Sequence, residues 1–196
     1  MKLRTRLATL VASALGALLI ASPAGAVIIT STSGANGVTD FSTASTASFD
    51  LDLFDLSSTT INFVVEQDDL LSPLLRLNAL VRNLSGAGID RFIFSAQGIS
   101  FDSAGSVTPT FGTVGAVNYS SNAAAITFSK PEFAEFYFGN PLGANGQSDW
   151  QLNLAGLRAG DAFSITAAVP EPGSFALMLA GLALLGFGTR RRRKGH

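Results

Sequence analysis

The sequence contains no cysteine, and its single histidine, His196, is its last residue. An exported domain without cysteine has no disulfide to lean on and holds together by packing alone. Without histidine or cysteine ahead of position 196, a Ser-His-Asp triad, a Cys-His pair and an ordinary zinc or copper ligand set are all excluded. Charge is also scarce, at 14% of residues, and cations are scarcer still away from the ends. Eight of the 13 basic residues are Lys2, Arg4, Arg6, Arg190, Arg191, Arg192, Arg193 and Lys194. Between Val27 and Glu171 only Arg76, Arg82, Arg91, Lys130 and Arg158 remain, against all 14 acidic residues, a formal charge of 5 − 14, or −9. An acidic region of this kind lacks the clustered cations that displace counterions from phosphates, so nucleic acid is excluded as a partner.

What is present at the N-terminus is a basic start followed by an apolar run from Leu7 to Ile20, then Pro23, Ala24, Gly25 and Ala26. This is the pattern of a secretory signal peptide with a small-x-small cleavage site at Ala24 and Ala26. The expected partners are the secretion translocon and signal peptidase, with residues 1–26 removed and the mature chain starting at Val27. The apolar run is short for a permanent span.

Residues 27–168 read as one β-rich exported domain. Val27 to Ser48 is small and polar, and is expected to be a flexible or loosely paired lead-in. Phe49, Leu51 and Leu53 then alternate with Asp50 and Asp52, the period of a half-buried strand, and the phase shift at Phe54 and Leu56 suggests a bulge. Further strands are expected over 60–66, 75–82, 89–96, 125–129, 135–138, 149–154 and 162–167. In the stretch after Pro73, Leu75, Leu77, Ala79 and Val81 alternate with polar residues, with Leu80 breaking the pattern. Turn-rich pieces fall at 85–88, 102–106 and 139–149. Eight or so short strands between Gly, Asn, Asp and Ser loops predict an all-β fold, an antiparallel β-sandwich or a jelly-roll-like domain.

The chain ends in VPEPGSFALMLAGLALLGFGTRRRRKGH. Residues 174–189, with Phe175, Leu177, Leu179, Leu182, Leu184, Leu185 and Phe187, make about 24 Å of helix against a hydrocarbon core of about 30 Å, a marginal transmembrane span. The basic stop Arg190, Arg191, Arg192, Arg193 and Lys194 belongs on the cytoplasmic side, which puts the acidic domain outside. Pro170, Glu171 and Pro172, a short hydrophobic helix and an Arg-rich end together resemble the bacterial PEP-CTERM sorting signal, here residues 169–194. The resemblance implies recognition by a membrane-embedded exosortase, a cysteine-dependent transpeptidase-like enzyme that removes the tail near the Pro-Glu-Pro motif. It also implies a Gram-negative cell that makes extracellular polysaccharide. The expected route is an inner-membrane-anchored precursor with its domain in the periplasm, followed by the cell surface or the extracellular space. The Leu-Pro-x-Thr-Gly motif of sortase substrates is absent, and a lipid-anchor signal does not end in basic residues.

Inside the domain the constellations are weaker. Asp50, Asp52 and Asp55, with Glu66, Asp68 and Asp69, supply the oxygen ligands calcium takes, but at no recognised loop spacing, so no metal and no cofactor is expected. A carboxylate pair for glycoside hydrolysis has Glu66, Asp102, Glu132, Glu135 and Asp149 to draw on. Trp150, Tyr119 and Tyr137 are rings that stack on sugars when exposed, with Trp150 the candidate glycan contact. Asn83 and Asn118 satisfy the N-glycan sequon. The expected role is a non-enzymatic, structural surface or matrix protein associated with exopolysaccharide or biofilm. The alternatives are a carbohydrate-binding module and, further off, a carboxylate-dependent glycoside hydrolase.

Overall fold

The computed structural model describes residues 27–170. The signal-peptide residues, Ala24 and Ala26 included, and everything from Glu171 onward, with Pro172, the membrane segment and the basic stop, lie outside the described residues. Thirteen strands form two sheets: β1 (Ile28–Ser33), β2 (Gly37–Asp40), β3 (Thr46–Leu53), β4 (Thr59–Val64), β5 (Leu74–Asn83), β6 (Ile89–Gln97), β7 (Ser100–Ser103), β8 (Val107–Pro109), β9 (Thr113–Ser120), β10 (Ala123–Glu132), β11 (Glu135–Phe138), β12 (Trp150–Asn153) and β13 (Ala162–Ala168). A short 3-10 turn, Gln67–Leu71, joins β4 to β5.

The first sheet runs β1-β4-β13-β6-β10-β9, and the second runs β2-β3-β5-β11-β8 with β12 bridging β5 and β7. The two sheets face each other through phenylalanines. Phe49 of β3 meets Phe63 and Phe94 of the opposite sheet at 6.1 and 6.0 Å between ring centres, Phe92 meets Phe136 at 5.0 Å, and Phe94 meets Phe138 at 4.7 Å. These edge-to-face and tilted pairs are the arrangements ring quadrupoles favour. The buried apolar core extends from Val27 to Val169.

The alternation in the sequence is realised as burial. Phe49, Leu51 and Leu53 point inward, as do Leu75, Leu77, Ala79 and Val81. Leu80 breaks the pattern because it lies on the outward face of β5, beside a cleft. Each of the eight expected strands has its counterpart.

Four expectations are corrected. The lead-in from Val27 to Ser48 is structured: β1 pairs with β4, β2 pairs with β3, and Val27, Asn36, Thr46 and Ala47 are buried. Its residues are small and polar because both strands lie at sheet edges, where one face and one edge remain wet. The sandwich is not wholly antiparallel, since β3 and β5 pair in parallel over eight positions, Thr46↔Arg76 to Leu53↔Asn83. Phe54 marks no bulge, because β3 ends at Leu53 and the chain bends there. Phe54 is exposed, and Asp55 accepts hydrogen bonds from the Ser57 backbone and hydroxyl, which lower its pKa. The stretch 100–120 holds β7, β8 and β9, with Asp102 and Ser103 in a strand, not a turn. β9 is almost wholly exposed, so its alternation carries no hydrophobic signal.

Candidate functional site

The parallel register of β3 on β5 determines what the outer face of the second sheet presents. Thr46, Ser48, Asp50 and Asp52 stand opposite Arg76, Asn78, Leu80 and Arg82. At one end Arg82 closes on both aspartates, at 3.0 Å from Asp50 and 2.5 Å from Asp52. The Asp52 hydrogen bond raises the Arg82 pKa above its ordinary value; burial opposes this, and the charges of Asp52, Asp50 and Glu135 add to it. Toward the other end the face is open. The Ser48 hydroxyl donates to Asn78 Oδ1 at 2.6 Å, and Asn78 Nδ2 donates to Asp149 Oδ1 at 3.0 Å.

Asp149 also receives the Asn140 backbone N–H at 2.8 Å, which fixes the loop between β11 and β12 as a wall. Asn140 holds that loop from within, donating to the carbonyls of Ala144 and Gln147 and accepting from the Ala144 N–H. Gly139 lets the loop leave β11 here. Its φ is +79°, and a Cβ would lie 2.8 Å from the Asn78 Cβ, so no side chain fits.

The result is an open cleft of about 570 Å³. Its floor is polar, made by Thr46, Ser48, Asp50, Arg76 and Asn78, and its apolar rims are Phe41 on one side and Pro141 and Leu142 on the other. Phe41 is 55% and Leu142 70% exposed. Thr46 is only 7% exposed, and its hydroxyl has no hydrogen-bond partner, the one such buried side-chain oxygen or nitrogen found among the described residues. A buried hydroxyl left unpaired costs about 1–3 kcal/mol. The cleft thus sets an apolar rim over a hydrogen-bonding floor.

The residues singled out from the sequence do not assemble here as expected. Trp150, the candidate glycan contact, is corrected: it is fully buried. Its ring stacks on Phe138 at 4.5 Å, meets Phe101 and Tyr119 edge-on, and its Nε1–H donates to the Ser106 carbonyl at 3.3 Å. Gly105 makes room for it, since a Cβ there would lie 2.5 Å from the Trp150 backbone nitrogen. Tyr119 is half exposed on β9, whereas the Tyr137 hydroxyl donates to Glu135 at 2.9 Å, which raises the Tyr137 pKa.

Of the five carboxylates considered for hydrolysis, only Asp149 lines the cleft. Glu132 is fully buried and accepts the backbone N–H groups of Phe111, Gly112 and Ala134 at 2.8–2.9 Å. Burial alone would raise its pKa, but the backbone donors outweigh it and hold the carboxyl below its ordinary value. It clamps two turns and is poised as an anion, not as an acid catalyst. Among the described residues no three His, Cys, Asp or Glu side chains converge as a metal-ligating group. Asp50 and Asp52 are engaged by Arg82, and Asp69 by backbone amides. Asn83 is buried, with its amide donating to the Ala87 and Glu132 carbonyls, so that sequon presents no acceptor. Asn118 is exposed on β9. The cleft residues Phe41, Arg76 and Asn78 were missed because they come from two segments far apart in the chain, the turn after β2 and strand β5. Only the outward alternation of Arg76 and Asn78 hinted at a polar face.

The domain ends abruptly. β13 lies between β4 and β6, Val169 is still buried, and Pro170 is exposed. No helix among the described residues is long and apolar enough to cross a membrane. A closed β domain followed at once by a proline-flanked tail defines a class, a folded cargo carrying its address at one end. The address is specific: residues 168–193 match the family described as the PEP-CTERM protein-sorting motif, and the chain carries that motif. It marks the chain as a surface protein sorted through an exosortase, exported by way of a membrane-anchored precursor. Comparison with curated proteins and with solved structures gives no match.

Proposed function

We propose that the domain is a non-catalytic surface protein that, after the tail is removed near Pro170, Glu171 and Pro172, stays with extracellular polysaccharide and holds it in the cleft on the outer sheet face. The observation that carries this reading is the cleft itself. Exposed Phe41 and Leu142 flank a floor that offers the polar groups of Ser48, Asp50, Arg76 and Asn78, with which sugar hydroxyls pair while the ring packs on the rim. The formal charge of −9 between Val27 and Glu171 favours a neutral chain over an acidic one, because like charges repel. A purely structural role, with retention by bulk assembly and no ligand, is the second reading, and the sorting motif at the edge of a closed sandwich supports it equally. Hydrolysis is disfavoured, because Glu132 is a buried clamp and Glu135 is tied to Tyr137.

The test uses protein exported and processed by its native host. Intact mass reports whether Arg190 to Lys194 have been removed, and retention of that run would refute tail processing. Binding to the host's own polysaccharide is then measured for the unaltered protein and for Phe41→Ser and Arg76→Ala, two exposed changes that leave the core untouched. Saturable binding weakened at least tenfold by either change supports the cleft. Retention in the matrix with no saturable binding leaves the structural role, and turnover of the polysaccharide would make the protein an enzyme.

A further inference from the structure

Asp69 is a fully buried carboxylate, and its three hydrogen-bond donors are neutral backbone N–H groups. Oδ1 accepts from Val27 at 3.2 Å and from Ser45 at 3.2 Å, and Oδ2 accepts from Glu66 at 2.8 Å. Neither of the two ion pairs found among the described residues includes it. A buried anion held only by neutral donors is costly, and a cation in contact would offset that cost. One of the three donors becomes a cation when the chain is cut. Hydrolysis of the Ala26–Val27 amide consumes one water, leaves a carboxylate on Ala26 and turns the Val27 nitrogen into an amine that is protonated at neutral pH.

We infer that signal-peptide cleavage creates a buried ion pair between the new Val27 ammonium and Asp69, which locks the mature domain in a way the uncut precursor lacks. The inference rests on cleavage after Ala26, the expected signal-peptide site. The geometry is already in place. Val27 is 1% exposed and its side chain belongs to the core, so the nitrogen is held against Asp69 by packing on one side and by the pairing of β1 with β4 on the other. The pair joins three separate pieces at one point: the start of the chain, the Ser45 turn before β3 and the 3-10 turn at Gln67–Leu71. The uncut chain, with a neutral amide at Val27, is thus the less stable form of the folded domain, and the cut chain is the more stable one.

The full chain is expressed with its leader in a Gram-negative host, and the exported form is treated with an amine-acylating reagent at neutral pH, native and in denaturant, and mapped by mass spectrometry. Lys130 is exposed and serves as the internal standard. An ordinary α-amine, with a pKa near 7.7–8.0 against about 10.4 for lysine, reacts faster than lysine at neutral pH. The expected result is a chain starting at Val27 whose native α-amine reacts at least tenfold more slowly than Lys130, with the ordinary order restored in denaturant. Asp69→Asn speeds its reaction. A second variant covers failure of that one to fold. One alanine inserted before Val27 restores a neutral amide at Val27 and moves the amine away, so it should label fast and raise the unfolding equilibrium constant about tenfold, the difference between a charged and a neutral hydrogen bond. A Val27 terminus that labels faster than Lys130 in the native protein, or an inserted alanine without effect on stability, overturns the ion pair while leaving the cleavage site standing. A mature terminus at any other residue overturns both.

Discussion

Replacing Glu132 with glutamine should destabilise the domain, and acid should erase the difference. Oε2 accepts two backbone N–H groups, from Phe111 and Gly112, and Oε1 accepts one, from Ala134. A glutamine keeps one oxygen and puts an NH2 where the other stood. It loses least by turning the NH2 toward Ala134, which leaves one buried donor facing another and removes the charge from the remaining two bonds. Hydrogen bonds to a charged group are worth about 1.5–3 kcal/mol, against about 0.5–1.5 for neutral ones, so the expected loss is about 2–4 kcal/mol at pH 7. Glu132→Ala leaves all three donors unmet and should cost more. The folded-state pKa is lowered, so the Glu132 contribution is fully present above the ordinary glutamate value near 4.3 and is lost as pH falls through the folded value. Urea unfolding followed by the fluorescence of Trp150, the only tryptophan, at steps between pH 7 and pH 2.5 reads both effects. The gap between wild type and Glu132→Gln should narrow below about pH 4. Equal stability at pH 7, or a gap that stays constant down to pH 2.5, would refute the clamp.

Two further outcomes are expected from packing. Thr46→Val removes the unpartnered buried hydroxyl and should leave the domain as stable or up to about 1 kcal/mol more stable; a loss of stability in urea titrations would mean that the hydroxyl is satisfied in the folded protein. Gly105→Ala puts a methyl 2.5 Å from the Trp150 backbone nitrogen and should cost about 1–3 kcal/mol or more through overpacking, read as a lower thermal midpoint with a shifted Trp150 emission; an unchanged midpoint would show that the 103–106 segment gives way freely.

The sequence by itself determined which side chains are buried along most strands, because burial on one face of a strand writes a period of two into the chain. Phe49, Leu51 and Leu53, Leu75 to Val81, Phe136 and Phe138, and Phe163 to Ala167 all carry that record. It also determined the address, since the Pro-Glu-Pro, hydrophobic and arginine segments of the sorting motif are contiguous and need no fold to be read. The tertiary structure alone decided the rest, because pairing partners are non-local and periodicity does not name them. The parallel placement of β3 on β5 sets Ser48 against Asn78 and Asp52 against Arg82, thirty residues apart, and so makes the cleft. Trp150 faces inward because β12 pairs with β5 and β7 in a register that lays its ring on Phe138. Glu132 and Asp69 look from sequence like any surface acid; only the convergence of backbone N–H groups from distant turns makes burying a charge there cheaper than leaving those donors unmet.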